Sequence, residues 1–84
     1  MPQIVMYAKA LCSYCTRARK LLHAKGVEFA EIRVDADRDQ LRIMIERSRR
    51  RTVPQVFIDD RHVGGYDDLA RLDARGELDA LLGR

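Results

Sequence analysis

The chain has no tryptophan, few aromatic residues (6%) and only two cysteines among its 84 residues. It also lacks any apolar run near the ~20 residues that a membrane-spanning helix needs. Residues 1–3 carry no basic region, apolar run or cleavage site of a signal peptide. We therefore expect one cytoplasmic domain, residues 1–84. In such a reducing compartment, a close cysteine pair is catalytic or metal-binding more often than structural.

The formal net charge of +3 is small, but positive charge is concentrated at residues 47–51, which contain four arginines. Three interpretations of this segment remain open. It is a solvated helix end, where cations complement the helix dipole, an anion-attracting rim for a carboxylate ligand, or a nucleic-acid contact. The third is the weakest, because no aromatic residues are interleaved with the charges. We expect neither a nucleic-acid nor a membrane partner.

The two cysteines, Cys12 and Cys15, form a C-x-x-C motif between a strand-like segment (residues 3–7) and a helix-like segment (residues 16–25). If Cys12 lies at the start of the helix, the two side chains share a face and their sulfurs can meet. The unpaired N–H groups of the first turn and the helix dipole then favour a thiolate at Cys12. This arrangement supports reversible thiol–disulfide exchange.

The remaining hydrophobic pattern predicts the order β-α-β-α-β-β-α. Further strands are expected at residues 27–34, 55–58 and 61–63, and further helices at residues 38–49 and after Asp67 or Asp68. Charges within residues 27–34 place that strand at a sheet edge. The opening strand–helix–strand unit implies parallel pairing, and the later short connection implies a hairpin. A C-x-x-C motif at the first strand–helix junction is typical of the thioredoxin-like α/β fold, a four-stranded mixed sheet flanked by helices.

Three motifs give the chain a specific family resemblance. They are Cys-Ser-Tyr-Cys at 12–15, Thr-Val-Pro-Gln-Val-Phe-Ile at 52–58 and Gly-Gly-Tyr-Asp-Asp-Leu at 64–69. In their order and spacing the chain resembles the glutaredoxins, and within that family the small bacterial dithiol members. The resemblance implies a glutathione-dependent thiol–disulfide oxidoreductase. Its substrates would be protein disulfides and glutathionylated proteins.

The resemblance also assigns roles to individual residues. Cys12 is the expected nucleophile and Cys15 the resolving cysteine, with Cys12 the more exposed and more easily ionised thiol. Pro54 is expected to be cis, so that the Val53 backbone pairs with glutathione like an added strand. The expected glutathione-binding residues are Lys9, Tyr14, Arg42, Thr52, Val53, Pro54, Gly65, Tyr66, Asp67 and Asp68. Arg42 stands in this set only as a substitute, because Leu41 occupies the family's polar position on the second helix.

Two aspartates in the third motif have more than one expected role. The N–H groups at the start of the last helix can receive the γ-glutamyl carboxylate of glutathione. Asp67 or Asp68 would meet the ammonium of the same residue. Either side chain can equally cap the helix, and one residue can do both.

Two positions depart from the commonest dithiol pattern. Ser13 stands where proline is usual, and Tyr66 stands where a third cysteine often occurs. Glutaredoxins with a small residue at the Ser13 position sometimes bind a two-iron, two-sulfur (2Fe-2S) cluster between two protomers, with glutathione as co-ligand. The alternative function is therefore a cluster carrier with Cys12 as a ligand. The dithiol enzyme itself is expected to be a monomer.

Other interpretations of the cysteine pair are weaker. A zinc site would need further ligands, and His23 and His62 do not follow the usual H-x₃₋₅-H spacing. A structural disulfide is disfavoured by the absence of an export signal and by the two-residue loop. A donor dedicated to one enzyme, such as a ribonucleotide reductase, stays open. So does reduction by an enzyme of the thioredoxin-reductase type.

Overall fold

A computed structural model describes residues 2–84. Its elements, in chain order, are β1 (Ile4–Ala8), α1 (Ser13–Ala24), β2 (Ala30–Arg33), α2 (Arg38–Ser48), β3 (Gln55–Ile58), β4 (Arg61–Gly64), α3 (Tyr66–Ala74) and α4 (Leu78–Leu81). The predicted order is confirmed, except that the C-terminal segment forms two helices. Gly76 takes φ +72° just after α3, the left-handed conformation that commonly ends helices. Within residues 2–84, no helix has both the length and the apolar character to cross a bilayer.

The four strands form one mixed sheet in the order β2-β1-β3-β4. β1 pairs in parallel with β2 and antiparallel with β3, and β3 pairs antiparallel with β4. The predicted edge position of the second strand is confirmed, as is the thioredoxin-like fold. That strand is shorter than the predicted residues 27–34, because β1 offers partners only from Val5↔Ala30 to Ala8↔Arg33.

The alternation of side chains along the strands divides the core between the two faces of the sheet. On one face, Ile4 and Met6 of β1 are buried against α1, α3 and the C-terminal segment that contains α4. These contribute Cys15, Ala18, Leu22, Leu69, Leu78 and Leu82. On the other face, Tyr7 and Phe57 pack against Met44 of α2. The sheet is therefore covered on both sides, as predicted.

Strand pairing brings two distant loops together. Tyr7, near the end of β1, pairs with Gln55, the first residue of β3. Because these strands are antiparallel, the loop that follows β1 and the loop that precedes β3 lie at the same end of the sheet. The first loop contains Cys12 and the second contains Val53 and Pro54.

Two helices start at positions that differ from the predicted ones. Helix α1 begins at Ser13, three residues earlier than predicted, with Cys12 as its N-cap residue. Helix α3 begins at Tyr66 with Gly65 as N-cap, so neither Asp67 nor Asp68 occupies that position. Asp68 caps the helix from its third position instead, because its carboxylate reaches back to the Gly65 N–H at 2.9 Å.

Gly64 lies next to the Asp68 carboxylate, with no room for a side chain. Its φ is +120°, and a Cβ atom added to it would lie 2.3 Å from Oδ2 of Asp68. The same Asp68 oxygen accepts hydrogen bonds from Gly65 N–H and from Arg50 Nη1, both at 2.9 Å. A side chain at residue 64 would therefore have two effects: it would displace the Asp68 carboxylate, and it would strain the backbone.

We predict that Gly64→Ala lowers the free energy of unfolding by roughly 2–4 kcal/mol, through left-handed strain and loss of the Asp68 cap. Chemical denaturation measures this change. The matched control is Gly76→Ala, which has a positive φ of +72° but open space around the added Cβ. This control should cost only about 1 kcal/mol. Equal losses in both variants would show that the Asp68 contact contributes nothing.

Candidate active site

Cys12 caps helix α1 with its sulfur. The residue has extended backbone angles (φ −112°, ψ 110°), and its Sγ accepts a hydrogen bond from the Cys15 N–H at 3.2 Å. The Cys12 carbonyl accepts the first helical hydrogen bond, from Thr16 N–H at 3.1 Å. Sulfur here takes the place of the oxygen that usually caps a helix. A negative charge on this sulfur is stabilised by the N–H donor and by the helix dipole.

The two thiols are free and lie in unlike environments. Cys12 is half-buried, whereas Cys15 is fully buried. Burial, and next the hydrogen bond to Cys12, raises the pKa of the Cys15 thiol to about 11. At neutral pH Cys15 therefore stays protonated beside an accessible Cys12. This asymmetry agrees with the expected roles of nucleophile and resolving cysteine.

The loop before Cys12 is held by contacts of two adjacent residues, Lys9 and Ala10. The Lys9 backbone hydrogen-bonds the Cys15 thiol and lowers its pKa, which opposes the larger effect of burial. Ala10 N–H donates to Asp35 Oδ2 at 3.1 Å, and Arg33 grips the same carboxylate with two hydrogen bonds of 2.7 and 2.6 Å. The Arg33 guanidinium holds the pKa of Asp35 well below its usual range. The Lys9 side chain, expected to meet glutathione, is exposed.

The loop before β3 forms the opposite side of the site. The Val53–Pro54 peptide bond is cis, as the family resemblance implies. The Cys12 thiol lies 3.9 Å from the Val53 carbonyl, to which it donates a weak hydrogen bond. Among the backbone–backbone hydrogen bonds of residues 2–84 outside the regular elements, none uses the Val53 N–H. This loop therefore offers a backbone donor next to the sulfur.

The third motif contacts the other two. The rings of Tyr14 and Tyr66 lie 6.4 Å apart between centroids, and Tyr14 is 50% exposed. A Cβ atom added to Gly65 would lie 3.5 Å from the Pro54 carbonyl oxygen, so these backbones are close. The structure thus brings together eight of the predicted site residues: Cys12, Tyr14, Cys15, Val53, Pro54, Gly65, Tyr66 and Asp68.

The two aspartates of the third motif have different surroundings. Asp68 is held by Arg50 and by the Gly65 N–H, and the Arg50 guanidinium lowers the pKa of its carboxyl group. Asp67 is exposed. Of the two candidates for a ligand ammonium, Asp67 is the more open. Asp68 has a capping role, which was one of its two expected roles.

A series of hydrogen bonds from the buried Gln55 side chain supports Thr52, and it was not predicted from the sequence. The Gln55 side chain is fully buried, and its Nε2 donates to the Thr52 carbonyl at 3.0 Å and to Thr52 Oγ1 at 3.2 Å. Its Oε1 lies 2.7 Å from His62 Nε2. Because that oxygen can only accept, His62 Nε2 carries the hydrogen. A glutamine inside a buried strand was the only sequence signal for this support.

The arginines of residues 47–51 do not act as one group. Arg47 donates to the Tyr7 hydroxyl at 2.8 Å and lies 3.9 Å from the Phe57 ring centroid. Arg50 pairs with Asp68. These two arginines therefore stabilise the fold, which the three interpretations of the charge cluster did not foresee.

Arg42, the substitute residue on the second helix, forms its ion pairs within that helix and not with residues around the cysteines. It is exposed on α2 and pairs with Glu46 at 3.2 Å and with Asp39 at 4.0 Å. It shares a surface groove with Leu41 and Arg51. A role for Arg42 in glutathione binding stays a prediction.

Comparisons with known proteins extend over nearly the whole chain. A family model described as glutaredoxin matches residues 4–63. The chain is 52% identical over 82 residues to Glutaredoxin 3 of Escherichia coli (strain K12), covering 98% of this chain and 99% of that protein. It matches the solution structure of a Brucella melitensis glutaredoxin with a TM-score of 0.86 and 46% identity, covering 100% of this chain and 94% of that one. A buckwheat glutaredoxin–glutathione complex matches with a TM-score of 0.89 and 30% identity, covering 98% and 77%.

The buried thiol predicts a loss of stability in alkali. The unfolded chain ionises Cys15 near pH 8.5, whereas the folded chain keeps the proton until the pKa of about 11. Between these values the unfolded state binds fewer protons, so the free energy of unfolding falls as pH rises. We expect this thiol to contribute a slope of up to about 1.4 kcal/mol per pH unit.

Urea unfolding of the reduced protein between pH 8 and 11 measures this slope. Cys15→Ser should remove the contribution. Cys12→Ser should keep most of it, since burial is the larger cause of the raised pKa. Equal slopes in the wild type and Cys15→Ser would contradict the assignment.

Proposed function

Since this chain belongs to the glutaredoxin family, whose members are in general thiol–disulfide oxidoreductases, we propose that it reduces protein disulfides and glutathione mixed disulfides with glutathione as its reductant. The observation that carries the proposal is the unequal pair of thiols. Cys12 caps a helix and is accessible, whereas Cys15 is buried and protonated. As part of the same proposal, the protein works in the cytoplasm, where glutathione is kept reduced.

The simpler reaction uses Cys12 alone. Its thiolate attacks the glutathione sulfur of a glutathionylated protein, the mixed disulfide breaks, and the protein thiolate leaves with the electron pair. A second glutathione thiolate then attacks the glutathione sulfur of the Cys12 adduct and breaks its bond to Cys12. Glutathione disulfide forms and the Cys12 thiolate is restored. The N–H of Cys15, 3.2 Å from the sulfur, stabilises this thiolate both before attack and when it leaves.

Protein disulfides also require Cys15. Attack by Cys12 on the protein disulfide gives a mixed disulfide and releases the first protein thiolate. Cys15 then loses its proton and attacks the Cys12 sulfur, which expels the second protein thiolate and leaves a Cys12–Cys15 disulfide. Two glutathione molecules reduce this disulfide and leave as glutathione disulfide. The hydrogen bond to Cys12 and the Cys12 charge both raise the pKa of Cys15. Once Cys12 is in a mixed disulfide its sulfur is neutral, so the charge effect is lost and the hydrogen bond is weakened. Cys15 thus becomes easier to ionise at the stage where it must react.

Glutathione binding follows from the groups around Cys12. The Val53 N–H has no backbone partner outside the regular elements of residues 2–84 and can pair with the tripeptide backbone like an added strand. The start of helix α3 supplies N–H groups for the γ-glutamyl carboxylate, and exposed Asp67 supplies a partner for its ammonium. Lys9, Tyr14, Thr52 and Tyr66 complete the proposed site. In support, a buckwheat relative at 30% identity forms a complex with glutathione.

The two cysteine variants test this mechanism. Cys12→Ser should abolish glutathione-dependent reduction of both a small mixed disulfide and a protein disulfide. Cys15→Ser should keep the first reaction and lose the second. An assay that couples glutathione disulfide to NADPH consumption measures the first reaction, and insulin or a ribonucleotide reductase disulfide can serve for the second. Full protein-disulfide reduction by Cys12→Ser would overturn the proposal.

A second candidate function is carriage of a 2Fe-2S cluster, and the accessible Cys12 next to exposed Ser13 favours it. Within residues 2–84, no group of three or more His, Cys, Asp or Glu side chains is arranged to hold a metal. Cys15 is buried and its pKa is raised. One chain therefore supplies a single thiolate ligand. A cluster would have to join two chains, with glutathione thiols as the remaining ligands.

Under this second proposal, protein purified anaerobically with glutathione absorbs visible light and elutes as a dimer. Cys12→Ser should be colourless and monomeric, because its only accessible thiolate is gone. Cys15→Ser should remain coloured, which makes it the matched control. A colourless monomer from the wild type would exclude the carrier function.

A further inference from the structure

Leu11 is an unusual side chain for a surface loop. Its exposure is 106% of the reference value for an extended chain, so no part of the described protein covers it. The large apolar side chains exposed within residues 2–84 are Leu11 and Tyr14, and both lie within two residues of Cys12. An apolar group that stands free beside a nucleophile is available to whatever molecule the nucleophile attacks.

The backbone at Leu11 is also unusual. Its φ of +54° lies in the left-handed region, which glycine and asparagine adopt far more readily than leucine. The neighbours on both sides hold this conformation. Ala10 N–H is bound to Asp35, and Cys12 is fixed as the helix N-cap. The loop therefore presents a leucine outward where local backbone preference favours other residues.

We propose that Leu11 is a specificity-determining residue that contacts an apolar side chain flanking the cysteine of a substrate protein. The proposal rests on the disulfide-reductase function given above and names the class of partner for the same site. The substrate sulfur must reach Cys12, whose Cα is about 3.8 Å from that of Leu11. The residue beside the substrate cysteine then lies within reach of the Leu11 side chain.

Chemistry favours an apolar neighbour on the substrate. Bringing two apolar side chains together removes both from water, which stabilises the mixed disulfide and the transition state that leads to it. A polar residue in the same place would lose water without gaining a partner from Leu11. The protein would thus select among protein thiols by the residue next to the cysteine.

The first experiment is a single turnover that needs no glutathione. Two peptides with one cysteine each are compared, identical except that the residue next to the cysteine is Leu in one and Asn in the other. Each cysteine is activated as a mixed disulfide with thionitrobenzoate. In a Cys15→Ser background, the Cys12 thiolate attacks the peptide sulfur. The peptide–thionitrobenzoate bond breaks, and the coloured thionitrobenzoate leaves with the electron pair.

We expect the Leu peptide to react about tenfold faster than the Asn peptide with Leu11 present. Leu11→Asn, which accepts the positive φ, should reduce this ratio to about twofold or less. Leu11→Met is the matched control and should keep the ratio, because it keeps an apolar side chain. Each ratio is measured within one variant, so differences in folding or in Cys12 reactivity cancel. An unchanged ratio in Leu11→Asn would overturn the proposal.

The second experiment separates this inference from the proposed function. The disulfide-linked dimers of the same peptides are reduced by the wild-type protein and glutathione, and kcat/KM is measured for each. If the protein turns over both dimers with equal kcat/KM, the proposed role of Leu11 is overturned, while the reductase function is supported. A tenfold single-turnover preference without glutathione-driven turnover would support Leu11 and contradict glutathione as reductant. If Leu11 contacts glutathione instead, Leu11→Asn would change kcat/KM equally for both dimers and leave their ratio as in the wild type, which would overturn the proposal.

Discussion

The hydrogen bond from the Cys15 N–H to the Cys12 sulfur organises the chemistry of this protein. It makes a thiol the cap of helix α1, so the same contact that starts the helix also stabilises negative charge on the Cys12 sulfur, the proposed nucleophile. The geometry leaves Cys12 half-buried and Cys15 inside the core, where its proton is retained. Two identical side chains, three residues apart in sequence, therefore lie in different environments. Proton affinity at one sulfur depends on the covalent state of the other.

The site exists because distant segments meet at one end of the sheet. The antiparallel pair of β1 and β3 places the cysteine loop against Val53 and Pro54, and the β3–β4 hairpin returns the chain to the start of α3. The ion pair between Arg50 and Asp68 then joins the loop before β3 to the first turn of α3. Gly64 permits this pairing because it leaves room for the carboxylate. The site is thus assembled from backbone segments whose positions are set by the strands.

Local patterns predicted much of this architecture. The element order, the edge strand, the cis proline and the meeting of three motifs could be inferred, because each depends on hydrophobic periodicity, backbone chemistry or a family resemblance carried by contiguous residues. Individual contacts between different elements and loops were not predicted: Arg50 with Asp68, Gln55 with His62, and the Lys9 backbone with Cys15. Such contacts depend on where side chains end after packing, which no local spacing encodes. Two helix starts, those of α1 and α3, were misplaced by two or three residues for a similar reason. A sulfur or a glycine can cap a helix when tertiary structure holds it there.

The buried side-chain amide of Gln55 can also be used to detect motion of the loop before β3. Its NH₂ group is enclosed and donates to Thr52, one residue before the loop backbone that lies against Cys12. These protons can exchange with solvent only when Thr52 separates from β3, so their exchange rate measures how often the loop opens. The side-chain amide gives a nuclear magnetic resonance signal distinct from those of the sulfurs and of any ligand. Motion of this loop can therefore be followed separately in the reduced, disulfide and glutathionylated forms, without mutating either cysteine.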